Sequence, residues 1–110
     1  MLDDLRTLAG ATLSKFNFRD ADLTGADLTG ADLTGADLSN VDFAGADLTG
    51  AVLTGAVLTG TKFTAADLDQ VDLTAAVLTG ANLARANCDW ATKLPEGSGW
   101  SCVGVTIERE

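Results

Sequence analysis

The sequence has no histidine and no tyrosine, only two cysteines, and seven basic residues against sixteen acidic ones. Without histidine there is no imidazole for acid/base catalysis and none for metal ligation. Two cysteines alone cannot complete a tetrahedral zinc site within one chain, and a single pair makes no disulfide framework. A net charge of −9 disfavours direct binding to nucleic acid or to an anionic membrane. No run of 18 apolar residues is present, so no membrane-spanning helix is expected. The opening residues, Met1-Leu2-Asp3-Asp4-Leu5-Arg6, lack the basic and apolar regions of a secretory signal. These absences predict a cytoplasmic, non-enzymatic chain without cofactor or metal. Its 110 residues suffice for one domain.

What the sequence has is a period of five. From Arg6 to Trp90 it divides into seventeen pentads, and the third position is Leu or Phe in sixteen of them, from Leu8 to Leu83. Cys88 holds that position in the last. The first position is Ala in twelve pentads, the second Asp in eight, the fourth Thr in nine and the fifth Gly in nine. An α-helix cannot carry this pattern: five residues advance about 140° modulo a turn, so the Leu would be smeared around the cylinder. A straight strand fails too, because an odd period alternates Leu between both faces. A bent strand succeeds. Positions one and three point inward, two and four outward, and the chain turns a corner at position five, where Gly is suited to the bend. Regular corners wind the chain into a coil whose turns stack about 4.8 Å apart through strand-type hydrogen bonds.

Ala21-Asp22-Leu23-Thr24-Gly25, repeated at 26–30, 31–35 and 46–50, resembles the pentapeptide-repeat consensus A-(D/N)-L-x-x. The resemblance covers residues 6–90. It implies an all-β fold, a right-handed, four-sided parallel β-helix with four pentads per coil and about four coils. Residues 20 apart then stack in columns. One holds Asp27, Asp47 and Asp67; the next Asp32, Val52 and Asp72; a third Asp37, Val57 and Val77; the fourth Asp22, Asp42, Lys62 and Asn82, with Phe43 over Phe63 inside. Residues 1–90 form the β-helix with its N-terminal cap, where Asp3–Leu8 is expected to make a short helical turn and Phe16 to plug the bottom. Residues 91–110 belong to the same domain and either cap the helix or pair with a second chain. Val103, Val105 and Ile107 alternate with Gly104 and Thr106 as in a single strand or arm.

The candidate interaction surface is acidic: Asp22, Asp27, Asp32, Asp37, Asp42, Asp47, Asp67 and Asp72. Carboxylates stacked at a coil rise repel by roughly 0.9 kcal/mol each in bulk water, less in salt. One reading is structural, with each Asp bonding nearby amides or Thr hydroxyls. The other is mimicry of DNA, which carries about 0.6 charges per Å. Residues 21–60 hold six Asp and no Lys or Arg, which over two coils is also about 0.6 per Å. The resembling family includes DNA-mimicking proteins that bind DNA gyrase. That implies a protein partner such as gyrase or another DNA-binding protein, and a homodimer formed through one end of the helix. A purely structural spacer, or a designed consensus repeat, is the alternative. Val52, Val57 and Val77 form a candidate apolar contact patch. Trp90, Trp100, Val103, Val105 and Ile107 are candidates for capping or dimerisation, with Trp90 and Trp100 expected to cover the apolar column. Cys88 reads as a buried core residue; a disulfide to Cys102 requires the tail to fold back and is disfavoured in a reducing cytosol, and the sequence leaves the pairing open. Ice binding by the Thr columns and calcium binding by the Asp are disfavoured: the Asp break up a Thr face, and single carboxylates one coil apart do not converge on an ion.

Overall fold

Sixteen of the seventeen pentads close on the same turn. The amide of the residue after each of these donates to a carbonyl three residues back: Ala11 to Leu8, Ala26 to Leu23 and Ala46 to Phe43, at 3.1, 3.0 and 2.9 Å. The third residue of each such turn has positive φ, 70° at both Gly10 and Gly25. Positive φ at that residue alone marks a type II turn, the geometry that Gly fits without strain. The corner expected at position five is therefore present. Seven corners are made by other residues, including Asn40, Ala65 and Ala75, each held in a conformation that costs an L-residue about 1 kcal/mol.

The computed structural model describes residues 7–110. The expected helical turn over Asp3–Leu8 lies almost wholly outside them; Thr7 itself pairs in parallel with Asp27. The pairing continues from there. Thr12 pairs with Asp32, Asp32 with Val52 and Val52 with Asp72, always between second positions twenty residues apart. Four pentads thus separate stacked residues, and the columns expected from the resemblance are those observed. Each link is bonded in both directions: Leu28 donates to the Asp47 carbonyl at 2.8 Å, and Asp47 to the Ala26 carbonyl at 2.9 Å. The result is a β-solenoid with almost no continuous strand.

The first and third positions fill its interior. Leu28, Leu33, Leu48, Leu53 and Leu73 are wholly buried, with Ala31, Ala36 and Ala51 beside them. Phe43 stacks on Phe63 with ring centroids 5.4 Å apart. Thr61 stands at an Ala position and donates its hydroxyl to the Leu38 carbonyl at 2.8 Å. Among the described residues no buried side-chain polar atom lacks a partner.

The repeat changes at its end. Asp72 pairs with Lys93, twenty-one residues on, so the unit from Ala86 to Ala91 holds six residues. Lys93 and Leu73 exchange the usual ladder bond at 2.8 Å, and Thr92 donates to the Leu68 carbonyl at 2.8 Å. Thr92-Lys93-Leu94 is therefore a further repeat unit, shifted by one residue. Trp90 lies in the insertion and is 95% exposed. It does not cover the apolar column, contrary to expectation, because it stands at the corner of its pentad, in the turn that the Thr92 amide closes on the Asp89 carbonyl at 3.1 Å. Phe16 also departs from expectation. It is 52% exposed and stands beside Phe18, ring centroids 4.7 Å apart, at the rim of the first turn.

The segment after the repeats folds back as a hairpin. β1 (Trp100–Val103) and β2 (Thr106–Arg109) pair antiparallel. Gly104 turns between them with φ of 68°, so the single strand expected over Val103–Ile107 is two. β2 lies along the last turn: Ile107 donates to the Ala86 carbonyl at 2.9 Å and Cys88 to the Val105 carbonyl at 3.0 Å. Ile107 and Trp100 are buried against the column, and the Arg109 guanidinium sits 4.6 Å from the Trp100 ring centroid. This fold-back brings the Cα atoms of Cys88 and Cys102 to 6.0 Å, and the two are disulfide-bonded. Cys88 is buried as expected, but it is not a free thiol.

Two consequences for stability are measurable. Replacing Ala75 by Gly removes a left-handed strain with no lost contact, and is expected to stabilise by about 0.5–1 kcal/mol, read as a rise in thermal midpoint. Cys102→Ser opens a loop spanning fourteen residues and is expected to cost about 2–3 kcal/mol in urea unfolding, with no further loss on adding reductant.

Candidate interaction surface

Each second-position Asp is bound to its own turn. Asp27 Oδ1 accepts the Thr29 amide at 3.1 Å and the Thr29 hydroxyl at 2.7 Å. Asp32 does the same with Thr34, Asp37 with Ser39 and Asp47 with Thr49. These are Asx turns, favoured because a short acceptor reaches an amide two residues on. Asn82 accepts the Ala84 amide through its own Oδ1 at 3.0 Å, so the turn needs the oxygen and not the charge. The hydroxyl and amide hold the carboxyls of Asp27, Asp32, Asp37 and Asp72 below their ordinary range. Oδ1 is consumed in this way. Among the described residues, Oδ2 of Asp37 receives Arg19 at 3.3 Å, whereas Oδ2 of Asp27, Asp32 and Asp47 receives no hydrogen bond.

The columns differ in charge. Asp27, Asp47 and Asp67 stack in one. Asp22 and Asp42 are followed by Lys62 and Asn82, and Asp32 by Val52, Asp72 and Lys93. Val57 pairs with Val77, which is 45% exposed, whereas Val52 and Val57 are half-buried. Val52, Val57 and Val77 thus share two neighbouring columns. Of the end residues, Trp100 and Ile107 are buried, while Trp90, Val103 and Val105 face solvent.

Two acidic residues were not singled out by the sequence reading. Asp69 occupies a fourth position, where Thr is usual, above Thr49 in the column of Asp47 and Asp67. Burial, and then the charges of Asp67, Asp89 and Asp47, push its carboxyl above the ordinary range. Asp89, twenty residues further, accepts the amides of Gln70 and Ala91, each at 3.0 Å. The signal was available: both are Asp at a Thr position, twenty residues apart. Among the described residues no group of acidic or sulfur ligands converges to hold a metal ion.

A rod of single-residue pairings, an apolar column inside and carboxylates outside defines a β-solenoid with a charged lateral surface. The pentapeptide repeats model matches residues 7–40, 36–74 and 63–92, in eight copies, and the chain belongs to that family. Among solved structures, Rfr23 from the cyanobacterium Cyanothece 51142 is 33% identical, with TM-score 0.55, across 79% of this chain and 63% of its own. A pentapeptide repeat protein of Nostoc PCC 7120 is 36% identical, with TM-score 0.50, across 84% of this chain and 76% of its own. One from the Arabidopsis thaliana thylakoid lumen is 29% identical, with TM-score 0.56, across 74% and 65%. This chain thus spans a little under two thirds of the Cyanothece and Arabidopsis chains. No curated protein matches it in sequence. The family is one of structural and interaction modules.

The pH response follows from the two kinds of Asp. The depressed carboxyls of Asp27, Asp32, Asp37 and Asp72 stabilise the fold above about pH 4, and that contribution disappears as pH falls through their folded values. Asp69 has the opposite sign. Its cost is present at neutral pH and is relieved by protonation. Asp69→Thr is expected to raise the thermal midpoint at pH 7 in low salt, by a few tenths of a kcal/mol, with the difference closing as pH drops to about 4.

Proposed function

We propose that the chain is a non-enzymatic acidic scaffold that binds a protein through its Asp columns, acting as a DNA mimic toward DNA gyrase or another DNA-binding protein. In this reading the coil is right-handed with about four turns, residues 91–110 cap its end, and the protein works in the cytoplasm. The supporting observation is the stretch of residues 21–60, with six Asp and no base. At a coil rise of 4.8 Å that is about 0.6 charges per Å, the density of duplex DNA. The Asx turns add to it. A carboxylate already fixed through Oδ1 presents its charge without loss of side-chain freedom on binding, so its attraction is not spent on ordering. Charge of one sign along a rod also raises encounter rates with basic clefts.

A second reading is a structural module without a dedicated partner. It is favoured by one observation: the Asx turns account for every second-position Asp, and Asn82 does the same work uncharged.

A gyrase supercoiling assay with this protein titrated in separates the two. Asn at 27, 32, 42 and 47 keeps each turn oxygen and removes four charges. The mimic predicts inhibition, or protection from a quinolone, that weakens as salt rises and vanishes in this quadruple variant while its circular dichroism spectrum shows that the fold survives. No effect of the unaltered protein at tens of micromolar removes gyrase. Loss of a partner on Val52→Asp or Val57→Asp, with none on Asp→Asn, moves binding to the apolar patch. Because a reducing cytosol opens disulfides, the assay is run with and without dithiothreitol.

A further inference from the structure

The C-terminal hairpin is held to the solenoid by few contacts. Among the described residues three backbone bonds join it to the last turn: Arg85 donates to the Ile107 carbonyl at 2.9 Å, Ile107 to Ala86 at 2.9 Å and Cys88 to Val105 at 3.0 Å. In the body of the rod a single face makes as many. Leu28 donates to Asp47, Gly30 to Thr49 and Asp47 to Ala26, and each turn has four such faces. Of the apolar side chains of the hairpin, Trp100 and Ile107 are buried, whereas Val103 and Val105 face solvent. These contacts must offset the backbone freedom that every residue of the segment loses on being ordered. Besides the chain itself, the remaining attachment among the described residues is the disulfide from Cys88 to Cys102.

The body of the rod does not need that bond. Its pairing, from Thr7 to Lys93, runs through the backbone ladder alone. Cys88 stands at a third position, where Leu or Phe stands in all sixteen pentads before it. Leu there would continue the apolar column, whereas the smaller Cys gives up that volume and reaches the hairpin instead. The two sulfurs also differ in access. Cys88 is buried, but Cys102 is half-buried in β1, beside the exposed Val103. An incoming thiolate therefore meets Cys102 first, because exchange depends on which sulfur is reached.

We propose that the Cys88–Cys102 disulfide is a redox latch: a small thiol that attacks Cys102 releases the hairpin and uncovers the end of the apolar column, while the solenoid below stays folded. Glutathione is such a thiol. Its thiolate bonds to the Cys102 sulfur, and the Cys88 sulfur leaves with the electron pair and takes a proton from water. A second glutathione then displaces Cys102 from the mixed disulfide. The protein gains two electrons and two protons, and one small-molecule disulfide is formed. Oxidised glutathione runs the sequence backwards. With the bond gone, three backbone bonds and two buried side chains hold the hairpin. A disulfide closing a loop of fourteen residues favours the closed form by about a hundredfold, so opening becomes more frequent by that factor on reduction. Opening frees the Ala86 carbonyl and the Cys88 amide and lifts Ile107 off the column. The Asp columns lie along the sides, so the latch works whether or not they bind a partner.

Hydrogen exchange on the full chain, read amide by amide in the oxidised protein and after reduction by glutathione, tests this. Thiol titration reports the state of the pair. Reduction is expected to yield two free thiols and to speed exchange at Cys88 and Ile107 by about a hundredfold. Leu28, Leu33, Leu48 and Leu53 are expected to keep their rates, and oxidised glutathione to restore the slow rates at Cys88 and Ile107. Cys102→Ser is expected to show the fast rates without reductant and no response to it. Three results overturn the proposal. One is a bond that glutathione does not open in the folded chain. Another is unchanged exchange at Cys88 and Ile107 once both thiols are free. The third is faster exchange that spreads to Leu48 and Leu53, which makes the bond a staple of the whole rod.

Discussion

The structure depends on one bend in the backbone, repeated. At the fifth residue of sixteen of the seventeen pentads φ is positive, and the following amide bonds three residues back. Without that bend an alternating chain would run straight, and Leu would appear on both sides. With it, the third residue always returns to the centre. Sixteen corners in succession, from Gly10 to Arg85, obey the rule. Seven do so without Gly, so the ladder above and below must hold a conformation that the local residue disfavours. The corner sets the path of the chain, and stacking keeps the corner.

The same economy governs the aspartates. Their position is fixed by the turn: the residue two before an unbonded amide is the one whose side chain can reach it. Any short acceptor would serve, and Asn82 shows that it does. Charge is therefore an addition to the repeat and not a condition of it. The chain keeps that addition at six successive second positions, Asp22 to Asp47, and again at Asp67 and Asp72, and drops it at Val52, Val57 and Val77 and at both ends. It also tolerates a cost at Asp69, where a fourth-position carboxyl faces three others.

Much of this was legible in the residues. The five-residue period carries the core, the corner and the outward second position, because each is set by alternation within a single pentad. Stacking at twenty residues was not legible from period alone; it came with the family resemblance, since one pentad does not reveal how many make a turn. The end of the chain was least legible. Trp90 is large and apolar, which suggests a lid, but it stands at the fifth position, the corner of its pentad, where side chains face solvent. Cys88 reads from its position as a core residue, and whether it pairs is not legible from the pentads. Its bond to Cys102 depends on a hairpin that turns at Gly104, a long-range event with no periodic signal. The second-position Asp stack at twenty residues as the repeat implies, whereas Asp69 and Asp89 stand at fourth positions, where the repeat carries Thr and no charge is expected.

The twenty-residue pairing bears on how such a chain can change length. A deletion of five residues leaves every corner intact and moves each later pentad one column round, so Asp67 would fall in line with a different set of neighbours. A deletion of twenty shortens the rod and leaves every column as it was. Changes that are not a multiple of five disturb the phase itself. The single extra residue between Cys88 and Thr92 is of that last kind, and it lies where only one more unit, Thr92-Lys93-Leu94, has to absorb it. Descent within such a sequence is therefore expected to proceed in steps of twenty through the body of the rod, with irregular changes gathered at its ends.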